Sequence, residues 1–139
     1  MDEKSTADYI MNTFAGVEST TALGYTLFFY GPDRKLPFAT IATADNEGDH
    51  VSNLDRPGVF RLNLGVSRQT FQSLFGTGKV AIDACDFTAL DTIMPHPDYA
   101  PQSWICVLNP GATTFQKLRP LLTEAYELAV RRASRRKTS

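Results

Sequence analysis

The stretch VFRLNLGV, residues 59–66, has the clearest alternation of apolar and polar side chains in the chain. Its apolar side chains would share one face of a strand: Phe60, Leu62, Leu64 and Val66. Because side chains alternate across a strand, Arg61 and Asn63 would lie side by side on the opposite face. This pattern predicts a strand that buries one face against helices and presents Arg61 and Asn63 on the other.

Strand-like and helix-like segments flank this stretch. Runs rich in β-branched and aromatic residues predict further strands at residues 25–30, 36–43, 79–82 and 103–108. Apolar residues at helical spacing predict helices at residues 5–17, 67–75 and about 113–132. Turn residues at 31–33 join the first two predicted strands into a hairpin. The order predicts one α+β domain over residues 1–139, with helices on one face of an antiparallel sheet.

Local signals set the expected ends and inner faces of the helices. Ser5 is the predicted N-cap of the first helix, whose apolar stripe includes Ile10, Phe14 and Val17. Ser67 is the predicted cap of the second helix, and glycines from Gly76 onward end it. The inner face of the last helix is predicted to carry five apolar residues: Phe115, Leu118, Leu122, Ala125 and Ala129.

Length and composition are those of an ordinary globular domain. The chain has 139 residues, of which 42% are hydrophobic and 21% charged. No apolar run approaches the ~20 residues of a membrane span. The polar N-terminal sequence MDEKSTADY lacks the basic and apolar regions of a signal peptide. A cytoplasmic protein with reduced thiols at Cys85 and Cys106 is therefore expected.

Charge is spread unevenly along the chain. Five of the 14 basic residues fall in a C-terminal tail, about residues 131–139: Arg131, Arg132, Arg135, Arg136 and Lys137. Without them, 9 basic and 15 acidic residues give a body of charge −6, from an overall −1. An acidic body repels phosphate backbones, so nucleic-acid binding is disfavoured except through the tail. A solvated helix end is the alternative interpretation of the tail.

Six residues are candidates for ligand binding, because they lie on the polar strand face or in turn-rich segments near it. They are Arg56, Arg61, Asn63, His96, Tyr99 and Trp104. Prolines on both sides of His96 stiffen the segment that presents it and Tyr99. Arginine, histidine and tyrosine around a sheet face predict non-enzymatic binding of a small anionic ligand or a protein partner.

Alternatives remain open. His96 and Asp91 are candidate catalytic residues for acid–base chemistry, with Arg61 steadying an anionic transition state. The basic tail is the basis of a nucleic-acid-binding alternative, and a homodimer is a further one. Each residue also has a plainer role: Arg61 would pair with a neighbouring acid, His96 would bond loop backbone groups, and Trp104 would pack in the core.

No metal site or cofactor is predicted. Two histidines and two separated cysteines do not supply the three or four convergent ligands of a zinc site. Asp45, Glu47 and Asp49 alternate in an acidic loop, but the glycine and glutamate that an EF-hand requires are missing in that register.

Five motifs carry a resemblance to known families. They are FFYGPDRKLPFATI (28–41), DRPGVFRLNLGV (55–66), DFTALD (86–91), PHPDYA (95–100) and WICVLNP (104–110). On these motifs the chain is similar to a family of bacterial proteins of unknown function. From residue 58 to 132 it also resembles the MmcQ/YjbR-like family, whose final strand opens with tryptophan, here Trp104. That resemblance implies a double-wing, CyaY-like α+β fold and a DNA-binding role. The segment APQS (100–103) replaces the lysine-rich residues of that family, which disfavours DNA binding.

Overall fold

Six strands form one antiparallel sheet in the computed structural model, which describes residues 2–31 and 35–138. The strands are β1 Val17–Ala22, β2 Tyr25–Tyr30, β3 Ala39–Ala42, β4 Arg61–Gly65, β5 Met94–Pro95 and β6 Trp104–Leu108. Their order across the sheet is β1-β2-β3-β4-β6-β5. The helices are α1 Glu3–Thr13, α2 Arg68–Phe75 and α3 Ala112–Thr138. The predicted α+β class with an antiparallel sheet is confirmed.

The main core lies between one sheet face and the helices. Alternate strand residues supply the sheet side: Phe28, Ala39, Ile41, Leu62, Leu64, Ile105 and Val107. The five residues predicted for the inner face of α3 are all buried in this core, as is Ile10 of α1. Aromatic contacts join the two helices: the Phe14 and Tyr126 rings stack at 4.8 Å, and Tyr9 meets Phe115 edge-on at 5.1 Å. Helix packing on one face is therefore confirmed.

The first helix begins and ends earlier than predicted. Asp2 is its N-cap and accepts the Ser5 backbone N–H at 2.8 Å, while Ser5 Oγ accepts the Asp2 N–H at 3.0 Å. Ser5 is therefore the N3 residue of a capping box, not the cap. Val17 does not extend the helix but opens β1, an edge strand of mostly polar residues that the apolar pattern did not predict.

Other boundaries follow the sequence, with one predicted strand missing. Ser67 caps α2 by accepting the Thr70 N–H at 3.1 Å, and Gly76 follows its last turn with φ 92°, as predicted. The predicted strand at residues 79–82 is absent, and Ile82–Ala84 form a 3-10 turn instead. The predicted hairpin pairing of β2 with β3 is present, although Pro32 and Asp33 of its turn lie outside the described residues.

Loops rather than helices cover part of the second sheet face. A smaller apolar cluster lies there, and its buried members are Ala42, Leu54, Phe87, Met94, Cys106 and Leu108. Leu54 and Phe87 come from the loops that follow β3 and α2. The rest of this face carries polar, aromatic and aliphatic side chains. No helix in the described part of the chain has both the length and the apolar character needed to cross a bilayer.

Candidate functional site

Arg61 is fully buried on the second sheet face, beneath the loop that connects β3 to β4. Its neighbours in register are Ala42 and Leu108, which offer no polar side chain. The guanidinium must therefore find its partners above the sheet or along its own strand, because a buried unpaired charge is strongly unfavourable.

The loop supplies two of these partners. Nη1 of Arg61 donates to Asp49 Oδ1 and to Ser52 Oγ, each at 3.0 Å, and Nη2 donates to the other Asp49 oxygen. Nε donates to Asn63 Oδ1 at 2.8 Å. All three guanidinium nitrogens are thus engaged, in the two-pronged geometry that arginine makes with carboxylates.

The network continues toward the centre of the sheet. The Tyr25 hydroxyl donates to the Asp49 carboxylate, and Asn63 Nδ2 donates to Thr40 Oγ1 at 3.0 Å. Burial on its own would raise the pKa of Asp49, but hydrogen bonds from Arg61 and Tyr25 outweigh it and hold that pKa below its usual value. Asp49 is therefore ionised near neutral pH.

His96 is held rigidly beside this network. Its backbone N–H donates to the Trp104 carbonyl at 3.0 Å, and its side chain is only 4% exposed. The ring atom Nδ1 accepts the N–H groups of Asp98 and Tyr99, both at 3.0 Å. Burial, together with the positive charge of Arg61, lowers the pKa of His96 to about 3, against a smaller opposing effect of Asp49. The imidazole is therefore neutral, with its proton on Nε2.

A cavity of about 580 Å³ opens on the second sheet face next to these residues. Its polar lining comes from Thr40, Asn46, Asp49, Asn63, His96, Asp98 and Gln102. Its apolar and aromatic lining comes from Leu23, Tyr25, Leu27, Leu36, Pro37, Tyr99 and Trp104. The volume lies within the range of small-molecule sites, which combine apolar walls with a few fixed polar groups.

Three rings form one side of the cavity. The His96 and Tyr99 ring centroids lie 5.0 Å apart, and Trp104 lies 6.4 Å from His96 and 6.5 Å from Tyr99. Trp104 sits opposite Gly65 in the β4–β6 register. A Cβ atom on Gly65 would lie 2.8 Å from Trp104 Nε1, so the absence of a side chain there lets the indole lie against the strand.

The variant Gly65→Ala is expected to lower the free energy of unfolding by about 1–3 kcal/mol, because the added methyl overlaps the indole. The emission of Trp104, the sole tryptophan, should shift as its ring moves. Urea unfolding and emission spectra measure the two effects. Gly78→Ala is the matched control, since a Cβ there meets no atom within 4 Å. Identical stability and spectra in the two variants would contradict the expectation.

The structure brings four of the predicted ligand-binding residues together: Asn63, His96, Tyr99 and Trp104 line the cavity. The other two do not line it. Arg61 lies buried within the Asp49 network. Arg56 donates from Nη2 to the carbonyls of Ser52 and Thr88, both at 3.1 Å, and so ties the two loops of this face together.

The two catalytic candidates do not meet in the described contacts. Asp91 accepts the Gly111 N–H at 2.7 Å, just before α3 begins, and this bond lowers its pKa. The carboxylate whose charge acts on His96 is Asp49. The acid–base alternative therefore lacks the pairing of His96 with Asp91 on which it was built. In the described part of the chain, no group of three or more His, Cys, Asp or Glu is placed to hold a metal ion.

The sequence prediction missed three residues of the site: Tyr25, Thr40 and Asp49. Tyr25 and Thr40 could have been found from strand pairing. In the register of the sheet, Thr40 pairs with Asn63 on one side and with Leu27 on the other. Aligning the predicted strands would have placed Thr40 beside Asn63. It would also have placed Tyr25 on the same face of the sheet, two residues before Leu27. Asp49 had no such signal, since its loop was read only as polar and turn-rich.

Comparison with known proteins gives a family and a fold. A family model described as "Family of unknown function (DUF6194)" matches residues 1–138. No curated protein matches the chain. A crystal structure of a protein from Pseudomonas syringae, a structural-genomics target, is similar with a TM-score of 0.58 and 17% sequence identity, covering 93% of this chain and 99% of that one. At this identity the similarity concerns the fold alone.

Proposed function

The chain belongs to the family of unknown function DUF6194, and we propose that it is a non-enzymatic binding protein for a small organic molecule. The ligand would occupy the cavity on the second sheet face. Support comes from one observation: fixed polar groups of Asn63, Asp49 and His96 share a 580 Å³ cavity with three aromatic rings and several aliphatic side chains. Such a lining can orient a ligand through hydrogen bonds and desolvate its apolar part.

The state of the polar groups favours binding over catalysis. A general base should have a pKa near the working pH, whereas the pKa of His96 is lowered to about 3. Asp49 is engaged by Arg61 and Tyr25. Both residues therefore act as fixed hydrogen-bonding groups: Asp49 accepts, and His96 has one ring N–H to donate.

The cavity can be tested through its own fluorophore. Trp104 emission should change when a member of a panel of small aromatic alcohols, amides, amines and carboxylates binds. The variant Tyr99→Ala removes a ring that is 56% exposed, so the fold should tolerate it. Loss of this wall should weaken binding of the best panel compound about tenfold, the equivalent of ~1.4 kcal/mol.

A pair of leucines provides the matched control. Leu23 lines the cavity and is 87% exposed, whereas Leu74 on α2 is also exposed but lies outside the lining. Leu23→Ala should weaken binding several-fold and Leu74→Ala should not change it. The proposal fails if no panel compound binds, or if Tyr99→Ala and Leu23→Ala bind as tightly as the unmodified protein.

Other sequence expectations remain proposals beside this one. They are the MmcQ/YjbR-like double-wing fold, bacterial origin, a cytoplasmic location, a protein partner or homodimer, and nucleic-acid binding through the tail. The tail begins as a continuation of α3, which runs to Thr138.

A further inference from the structure

The charge of the cavity lining differs from the expectation of an anionic ligand. That expectation required Arg61 to be presented on the sheet face, but its three nitrogens are engaged by Asp49, Ser52 and Asn63. None of the described lining residues is a lysine or arginine, and two are carboxylates, Asp49 and Asp98.

The two carboxylates are not equivalent. The charge of Asp49 is offset by Arg61 directly behind it. Asp98 is exposed and follows Pro97 in the segment that carries His96 and Tyr99. Its negative charge therefore stands beside the ring cluster without a positive neighbour in the lining. The acidic body of the protein adds a field of the same sign.

The ring cluster suits a positive ligand. Aromatic faces attract cations within about 6 Å of the ring centroid, most strongly for tryptophan. The Tyr99 and Trp104 centroids are 6.5 Å apart and their planes are tilted by 59°, so one compact cation can lie within that range of both. Tyr25 adds a further ring to the same lining.

We propose that the cavity binds a small organic ammonium ion, held against Tyr99 and Trp104 and attracted by Asp98. This inference rests on the proposed binding function. His96 is compatible with such a ligand because its imidazole is neutral near pH 7: Nδ1 accepts two backbone N–H groups and so carries no proton there. A ligand that also carries an acceptor oxygen could receive the Nε2–H bond of His96.

Three probes of similar shape separate charge from size. The probes are choline, 3,3-dimethyl-1-butanol and 3,3-dimethylbutanoate. Choline carries a trimethylammonium group and the other two carry a tert-butyl group of the same shape. Their charges are positive, neutral and negative in that order. Choline should bind at least tenfold more tightly than the neutral alcohol, since a desolvated cation–π contact exceeds ~1.4 kcal/mol. The carboxylate should bind more weakly than either. Trp104 fluorescence and calorimetry on the full chain measure the three affinities.

Substitutions locate the source of the preference. Tyr99→Leu keeps an apolar side chain but removes the ring, and Asp98→Asn removes the charge. Each should weaken choline binding several-fold more than it weakens 3,3-dimethyl-1-butanol binding. Asp83→Asn is the matched control, because Asp83 is exposed and lies outside the lining. It should change neither affinity.

The outcomes distinguish the two proposals. If the alcohol binds as tightly as choline, or the carboxylate binds more tightly, the ammonium inference is overturned while the binding function stands. If the variants at Tyr99 and Asp98 weaken choline and the alcohol equally, the inference is also overturned. If neither these probes nor the broader panel binds, both proposals are overturned.

Discussion

Replacing Asp49 with alanine is expected to lower the free energy of unfolding by about 3–5 kcal/mol, the usual cost of removing one partner from a buried ion pair. The variant leaves the Arg61 guanidinium, which is fully buried, without its carboxylate. Ser52 and Asn63 could still accept hydrogen bonds, but neither carries the compensating charge. Urea unfolding measures the loss, which is a large share of the stability of an ordinary domain.

Two comparisons show whether burial is the cause. The Lys4–Asp8 ion pair on α1 is exposed, with 3.3 Å between Lys4 Nζ and Asp8 Oδ2. Asp8→Ala should therefore lower the free energy of unfolding by no more than about 0.5 kcal/mol. The double variant Asp49→Leu with Arg61→Met removes both charges and should recover most of the loss. A loss below about 1 kcal/mol in Asp49→Ala would mean that water replaces the carboxylate and that the pair does not hold the loop.

Acidification should destabilise the protein through His96 before the carboxyl groups contribute. The unfolded chain takes up the proton with the ordinary histidine pKa of about 6.5, and the folded chain only near 3. Between these values the unfolded state binds more protons, so the free energy of unfolding falls as pH falls. The expected loss is about 2 kcal/mol between pH 6.5 and 4.5 and about 4 kcal/mol by pH 3.

The window from pH 6.5 to 4.5 isolates the imidazole. The charged groups beside His96 are Arg61, Asp49 and Asp98, and the pKa of Asp49 is held low by Arg61 and Tyr25, so that its carboxylate stays ionised in this window. His96→Gln keeps an oxygen that can accept the N–H groups of Asp98 and Tyr99 and should abolish the slope in this window. His50→Gln, at an exposed histidine, should keep it. Urea unfolding at a series of pH values compares them, and equal slopes in all three proteins would contradict the prediction.

The helices and the sheet face that packs against them could be predicted, because the sequence patterns that indicate them are local. Alternation in residues 59–66 and helical spacing in α3 both report which side chains meet the core, and both were confirmed. β1 was missed for the corresponding reason: an edge strand that is largely exposed has no need of apolar alternation. Its pairing with β2 is visible only when the partner strand is present.

The candidate site was only half predictable. Asn63 was predicted on the polar strand face, His96 and Tyr99 in a proline-stiffened segment, and Trp104 at the start of a strand; all four line one cavity. The role of Arg61 was different from the expected one, because its partner comes from a loop 12 residues earlier in the chain. No periodicity in a loop reports where it folds over a sheet. The charge left at the cavity depends on that contact, so the ligand class could not be predicted from composition.

The contact between the first and last helices bears on how the protein is made. The Tyr126 hydroxyl donates to the Ala15 carbonyl across 111 residues, beside the stacked rings of Phe14 and Tyr126. During synthesis α1 emerges long before α3, so the apolar stripe of α1 is made before the helix that covers it. Contacts this distant in sequence slow folding and lengthen the exposure of apolar surface. Until α3 has been synthesised, the apolar stripe of α1 therefore lacks the contacts that bury it in the folded protein.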